Sequence, residues 1–214
     1  MKTKGLLTVC VLCAFTARAN VINFDDLTFA DYDPVPTGYK SNDLAGGTPD
    51  IAVNYQTVTT ARAPFSDHLD LWHTDYGDLV KVAFPSANGN LGDVILTPSS
   101  GFQVTLASFD LGGWPQTTQS GQTVRILDGT GNILLDYSPF NITGSGHNTL
   151  APNLTSTGPL IIEFGTSWNG AIDNIVFSES AVTAGNVGAP DGGATALLLA
   201  GSLSLFGFLS RKLR

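Results

Sequence analysis

The sequence predicts an all-β chain folded as a two-sheet antiparallel β-sandwich of jelly-roll-like character, flanked by an apolar segment at each end. Three observations predict it. Apolar and polar residues alternate with period two, as in Phe102-Gln103-Val104-Thr105-Leu106, the pattern of a half-buried strand. Gly, Pro and Asn punctuate short apolar runs at hairpin-like intervals. No segment before Ala194 carries the 3.6-residue apolar stripe of an amphipathic helix.

In chain order, the alternation predicts strands at Val21–Leu27, Ile51–Thr60, Leu79–Phe84 and Gly92–Thr97. The next begins at Phe102 but changes parity at Phe109 and Leu111, so a bulge near Ala107-Ser108 is expected to absorb the slip. A hairpin follows. Val124 and Ile126 lead into the turn Asp128-Gly129-Thr130-Gly131-Asn132, and Ile133 and Leu135 return on the apolar face. Leu160–Phe164 and Ala171–Ser178 complete the set. Sheets built from such short strands bury their apolar faces against each other, giving one domain over residues 20–179. A spacer of small and polar residues, 180–189, follows it.

The two ends read as targeting segments. Lys2 and Lys4, the apolar run Gly5–Phe15, and Ala17-Arg18-Ala19 have the order of a signal peptide over residues 1–19. Signal peptidase would cut between Ala19 and Asn20, removing both cysteines, Cys10 and Cys13. The mature domain then has no disulfide, no thiol nucleophile and no thiolate ligand. At the other end, Pro190, Asp191, Gly192 and Gly193 precede an uncharged run from Ala194 to Ser210, closed by Arg211, Lys212 and Arg214. As a helix of about 1.5 Å per residue that run is about 25 Å long, near the ~30 Å of a hydrocarbon core. The basic tail stays cytoplasmic and places the domain outside, anchored in the membrane until processed.

This tripartite tail, residues 190–214, resembles the PEP-CTERM class of sorting signals, and Ala189-Pro190-Asp191-Gly192-Gly193 is similar to its VPDSG-CTERM variant. The resemblance implies that an exosortase cuts near the motif and delivers the protein to the cell surface or extracellular matrix. Ile22-Asn23-Phe24-Asp25-Asp26-Leu27, Tyr76-Gly77-Asp78-Leu79, Ser108-Phe109-Asp110-Leu111, Val124–Gly129 and Ile172-Asp173-Asn174-Ile175 resemble β-sandwich domains common in such proteins. That second resemblance implies a sandwich akin to carbohydrate-binding jelly rolls, with exopolysaccharide as partner.

Charge narrows the function. Between Asn20 and Ala189 stand four bases, Lys40, Arg62, Lys81 and Arg125, against 17 acids, a net charge of −13. A surface this acidic repels phosphate backbones, which excludes nucleic acid as a partner. No Gly-x-Ser-x-Gly elbow surrounds Ser167, no phosphate-binding loop is present, and no two carboxylates stand out as a glycosidase pair. The expectation is therefore a non-catalytic protein. A purely structural surface protein and a polysaccharide hydrolase or lyase are the alternatives.

Three sets of residues are candidates for binding. Asp26, on the inward parity of Ile22 and Phe24, and Asp173, on that of Ile175 and Phe177, are expected to face the core, where calcium would compensate their charge. Trp72, Trp114 and Trp168 lie among Gly, Pro, Asn and His, outside the alternating cores, and are candidate platforms for sugar rings. The segment Asp67–Asp78 reads as a polar loop, or as a metal or sugar site built from His68, Asp70 and Asp75. As a strand it would put His68, Asp70 and Trp72 on one face and His73 on the other.

Overall fold

The computed structural model describes residues 18–41 and 47–182, and these fold entirely as strands, turns and loops. Residues 1–17, the sorting motif at Pro190–Gly193, the apolar run Ala194–Ser210 and the basic tail lie outside the described residues.

Among the described residues, fourteen strands form two seven-stranded antiparallel sheets. The first sheet contains β1 (Arg18–Ile22), β4 (Leu69–Trp72), β5 (Val82–Pro85), β7 (Phe102–Gly113), β11 (Asn148–Leu150), β12 (Leu154–Ser156) and β14 (Gly170–Ala181). Its path is β11-β7-β14-β5-β4, with β1 also on β14 and β12 also on β7. The second contains β2 (Ile51–Thr59), β3 (Pro64–Ser66), β6 (Asn90–Pro98), β8 (Gln119–Asp128), β9 (Ile133–Asp136), β10 (Phe140–Ile142) and β13 (Leu160–Gly165). Its path is β10-β8-β13-β6-β2-β3, with β9 on the far part of β8. Inward residues of both sheets, among them Phe24, Leu96, Phe109, Phe164 and Phe177, are fully buried and make one core. At about 3–5 kcal/mol for a buried Phe truncated to Ala, that core dominates stability.

The long strands fall where the alternation places them, and the bulge is present. Along the β7–β14 pair, Leu106 faces Phe177 while Ser108 faces Val176, so β7 carries one extra residue at Ala107. A second bulge in β14 compensates, since Asp110 faces Asp173 and the next register pair is Ser108 with Val176. The parity of β14 therefore breaks between Asp173 and Ile175, and both are buried.

Several expectations need correction. The first strand ends at Ile22, because the chain then turns, with the Leu27 N–H donating to the Phe24 carbonyl at 3.1 Å. Asp26 consequently lies exposed in that turn and not inward; it accepts a hydrogen bond from the Tyr39 hydroxyl. Leu79 belongs to a turn closed on the Tyr76 carbonyl, and β5 starts only at Val82. Ile133 is 49 % exposed, so the return strand of the predicted hairpin packs a half-buried Leu135 on the core but not Ile133. Part of the segment Asp67–Asp78 is strand β4 and not loop. Finally, β1 begins before Asn20, pairing Arg18 with Glu179 and Ala19 with Ser178. A mature chain starting at Asn20 keeps the pairings of Asn20, Val21 and Ile22 with Phe177, Val176 and Ile175.

Candidate functional site: an aromatic cleft on the outer face

A strand with apolar residues on both sides of its sheet must bury two faces, and β4 and β5 are such strands. Leu69, Leu71 and Ala83 point into the sandwich core. Trp72, Val82 and Phe84, of opposite parity, point outward and join Tyr76, Leu79, Ala171 and Trp114 in a second apolar cluster. Register brings them together, since Trp72 faces Val82 and Asp70 faces Phe84.

Loops complete the cluster. Residues 32–35 run along β4, with the Tyr32 N–H donating to the Leu71 carbonyl at 2.9 Å and the Val35 N–H to the Leu69 carbonyl at 2.8 Å. The loop between β4 and β5 lies directly on β7, which Gly112 permits: a Cβ there would collide with the Tyr76 carbonyl oxygen. At the end of β7, the Trp114 N–H donates to the Asn169 carbonyl at 2.9 Å, and the Tyr76 hydroxyl donates to the Trp168 carbonyl. The turn between β13 and β14, which carries Trp168, is thereby tied to both loops.

The result is a cleft of about 170 Å³ lined by Tyr32, Trp72, Tyr76, Phe84, Trp114, Trp168 and Asn169. Tyr76 and Phe84 stack at 30°, and the other ring pairs meet edge to face. Tyr32 and Trp72 have centroids 5.0 Å apart at 81°, and Trp72 and Trp114 are 6.2 Å apart at 79°. Trp168 is 42 % exposed and Tyr32 55 %, so two rings stay open to solvent. The indole N–H groups of Trp72 and Trp114 are buried with no acceptor, at a cost of about 1–3 kcal/mol each by the general penalty for such groups. The three tryptophans singled out in the sequence thus converge on one surface feature. Tyr32, Tyr76 and Phe84 were not anticipated there, since the docking of two loops and the β4–β5 register place them.

The other candidates separate. His68 and Asp70 do share a face, with His68 Nε2 3.4 Å from Asp70 Oδ1, and burial pushes the Asp70 carboxyl upward. His73 turns the other way, its Nδ1 2.5 Å from Asp31 Oδ1. Asp75 belongs to a different contact: its carbonyl accepts the Gln116 N–H at 2.9 Å. Asp173 is buried, as expected, with Oδ1 unpartnered. Burial, then the charges of Asp25 and Asp110, push its carboxyl up to about 7. Those two acids, and not Asp26, are its electrostatic neighbours. Among the described residues no three His, Cys, Asp or Glu side chains converge as a metal ion would need.

One pair of opposed carboxylates does emerge, on the outer face of the second sheet. Glu163 faces Asp93 across the β13–β6 pair, and both are fully buried. Arg62 and Arg125 close over Glu163, with Arg125 Nε donating to Oε1 at 2.7 Å. Gln56 Nε2 donates to Asp93 Oδ2 at 2.9 Å. Capped in this way, the pair is a structural network with no open face.

No protein-family model matches the chain, and no curated protein is similar to it. Among solved structures, the enzymatically active domain of tailspike protein 4 of bacteriophage CBA120 is similar at 19 % identity and a TM-score of 0.28. The match covers 64 % of this chain and 21 % of that one, so the chain spans about a fifth of its length. Likeness at this level falls short of a common fold.

Proposed function

We propose that this chain is an exported, non-catalytic protein of the cell envelope or extracellular matrix that binds polysaccharide through the aromatic cleft of a jelly-roll-like sandwich. One observation carries the binding role: Trp72, Trp114 and Trp168, far apart in sequence, line a single cleft outside the core. Pyranose rings present apolar C–H faces that stack on aromatic planes, and the rings of Trp168 and Tyr32 stay open to solvent. The exported location rests on the signal-peptide order of residues 1–19 and on the likeness of residues 190–214 to exosortase signals.

Trp168 is the ring to remove, because its exposure makes it dispensable to folding. Pull-down on a panel of insoluble polysaccharides should retain the protein, and Trp168→Ala should weaken retention about tenfold or more, as expected for an aromatic anchor. Retention of both proteins alike, or of neither, refutes the binding role. Terminal sequencing of the protein from its host tests export: a surface form starting at Met1 and ending at Arg214 refutes processing.

A further inference from the structure

We propose that the side-chain amide of Asn169 selects the sugar, admitting an uncharged unit that lays its apolar face on Trp168 and donates a hydroxyl to Asn169 Oδ1. The inference rests on the polysaccharide reading and narrows it to a class of sugar and the residue that reads it. Its first support is the one ring left unpaired. The other aromatic rings of the cleft lie against one another, with centroids 5.0 to 6.3 Å apart. Among the described residues Trp168 pairs with no ring and is 42 % exposed, so it is the ring left for a ligand to stack on. The Tyr76 hydroxyl, donating to the Trp168 carbonyl, holds its backbone in place.

The second support is the supply of acceptors. Indoles only donate, the Tyr76 hydroxyl is spent on Trp168, and the Asn169 carbonyl takes the Trp114 N–H at 2.9 Å. Asn169 is the one lining residue with a side-chain amide, and that amide is oriented from outside the cleft. Gln119 Nε2 donates to the carbonyls of Trp114 at 2.6 Å and Thr117 at 3.1 Å, which uses both of its protons. Gln119 Oε1 is therefore an acceptor, and it faces Asn169 Nδ2 at 3.4 Å. The contact is long, but a turned amide would bring oxygen against oxygen, so Oδ1 is the atom directed away from Gln119. Among the described residues Oδ1 has no hydrogen-bond partner, and it is not one of the side-chain atoms buried without one, so solvent reaches it. The Asn169 N–H donates to Ser167 Oγ at 3.2 Å, which ties down the same turn. An acceptor held in this way beside an open indole is complementary to a hydroxyl on a stacked ring.

The third support is the absence of charge from the lining, which holds aromatic residues and Asn169 alone. All four bases between Asn20 and Ala189 are engaged elsewhere. Lys40 Nζ donates to the carbonyls of Thr48 and Ile51 at 2.8 and 2.7 Å, and Lys81 Nζ to those of Asp25 and Leu27. Arg62 and Arg125 are held by Glu163 and Asp93. A uronate or sulfate would set its oxygens against Oδ1 with no cation to meet them, on a domain that already repels anions. An ammonium would give up water with no carboxylate in the lining to replace it. A neutral sugar meets neither penalty.

Calorimetric titration of the full chain tests this with oligomers of glucose, mannose and galactose, each native and per-O-methylated, and with a glucosamine oligomer and an oligogalacturonate. Methylation keeps the apolar ring faces and removes every hydroxyl donor. At least one native neutral oligomer should bind about tenfold more tightly than its methylated counterpart, the cost of covering an acceptor without satisfying it, and more tightly than either charged oligomer. Asn169→Leu should bring native binding down to the methylated level and leave methylated binding unchanged, whereas Trp168→Ala should weaken both. Equal binding of native and methylated oligomers, or tighter binding of a charged one, lost in Trp168→Ala, overturns the selection while sparing the polysaccharide reading. Native binding that survives Asn169→Leu overturns it in the same way. So does loss of native and methylated binding together in that variant, since the amide would then hold the shape of the cleft and not read the sugar. Binding of no oligomer overturns both.

Discussion

Asp173→Asn should make the protein more stable above neutral pH and leave it unchanged in acid. The carboxyl lies on β14 at 3 % exposure, pushed from the ordinary 3.8 to about 7 by burial and then by Asp25 and Asp110. A rise of about 3 pH units at about 1.4 kcal/mol each amounts to about 4 kcal/mol. The folded value lies above the unfolded one, so the native state holds the proton more tightly. The stabilisation linked to Asp173 is therefore complete below about pH 4 and is lost as pH rises through about 7. Asn mimics the protonated acid at every pH. It keeps an oxygen for the backbone of Asn174 and Phe24, which favours the charged form of the aspartate, and turns an amide toward Asp25 and Asp110. Above neutrality the variant should gain up to about 4 kcal/mol, or roughly 8–16 °C in melting temperature at 2–4 °C per kcal/mol. Urea denaturation at pH steps from acid to alkaline measures it. The Asp173 charge also helps to raise the His147 pKa, so both proteins are compared in a His147→Asn background. Parallel stability curves for the two proteins would show that Asp173 is ionised in the native state, and the reasoning would fail.

Two further perturbations test the frame around the site. Glu163→Gln leaves Arg62 and Arg125, 28 % and 23 % exposed, facing a neutral amide, so it should cost about 1–3 kcal/mol by urea denaturation; a loss below 1 kcal/mol would mean that the network contributes little beyond its own desolvation cost. Gly112→Ala forces a methyl against the Tyr76 carbonyl, displacing the loop between β4 and β5 at about 1–3 kcal/mol. Near-ultraviolet circular dichroism of the tryptophans and saccharide binding should both change, while the far-ultraviolet spectrum stays that of an all-β protein; unchanged tryptophan signals would mean that the loop does not hold the cleft.

What the sequence made legible follows from the range over which its signals act. Alternation is a property of one strand, so β2, β6, β7, β8, β13 and β14 could be placed, each six residues or longer. The parity slip that predicts the Ala107 bulge is equally local. The strands β3, β4, β10, β11 and β12, of three or four residues, carry too few alternations to register. Asp26 was misplaced because parity was extended across a turn, and a turn resets which way side chains point. The tryptophans mark the same boundary more sharply. The Gly, Pro and Asn neighbours of Trp114 and Trp168 correctly set those two in turns, whereas Trp72 ends strand β4, and nothing local says that the three meet. They meet because Ala171 pairs with Gly112 and Gly170 with Gly113, which delivers the Trp168 turn to the Trp114 loop. Asp93 and Glu163 become neighbours in the same way, across β6 and β13. Periodicity therefore assigns each side chain a face, whereas inter-strand register decides its company. In this sandwich the chemistry lies in the company: Gly112 and Gly113, with no functional group of their own, determine the cleft as much as the indoles that line it.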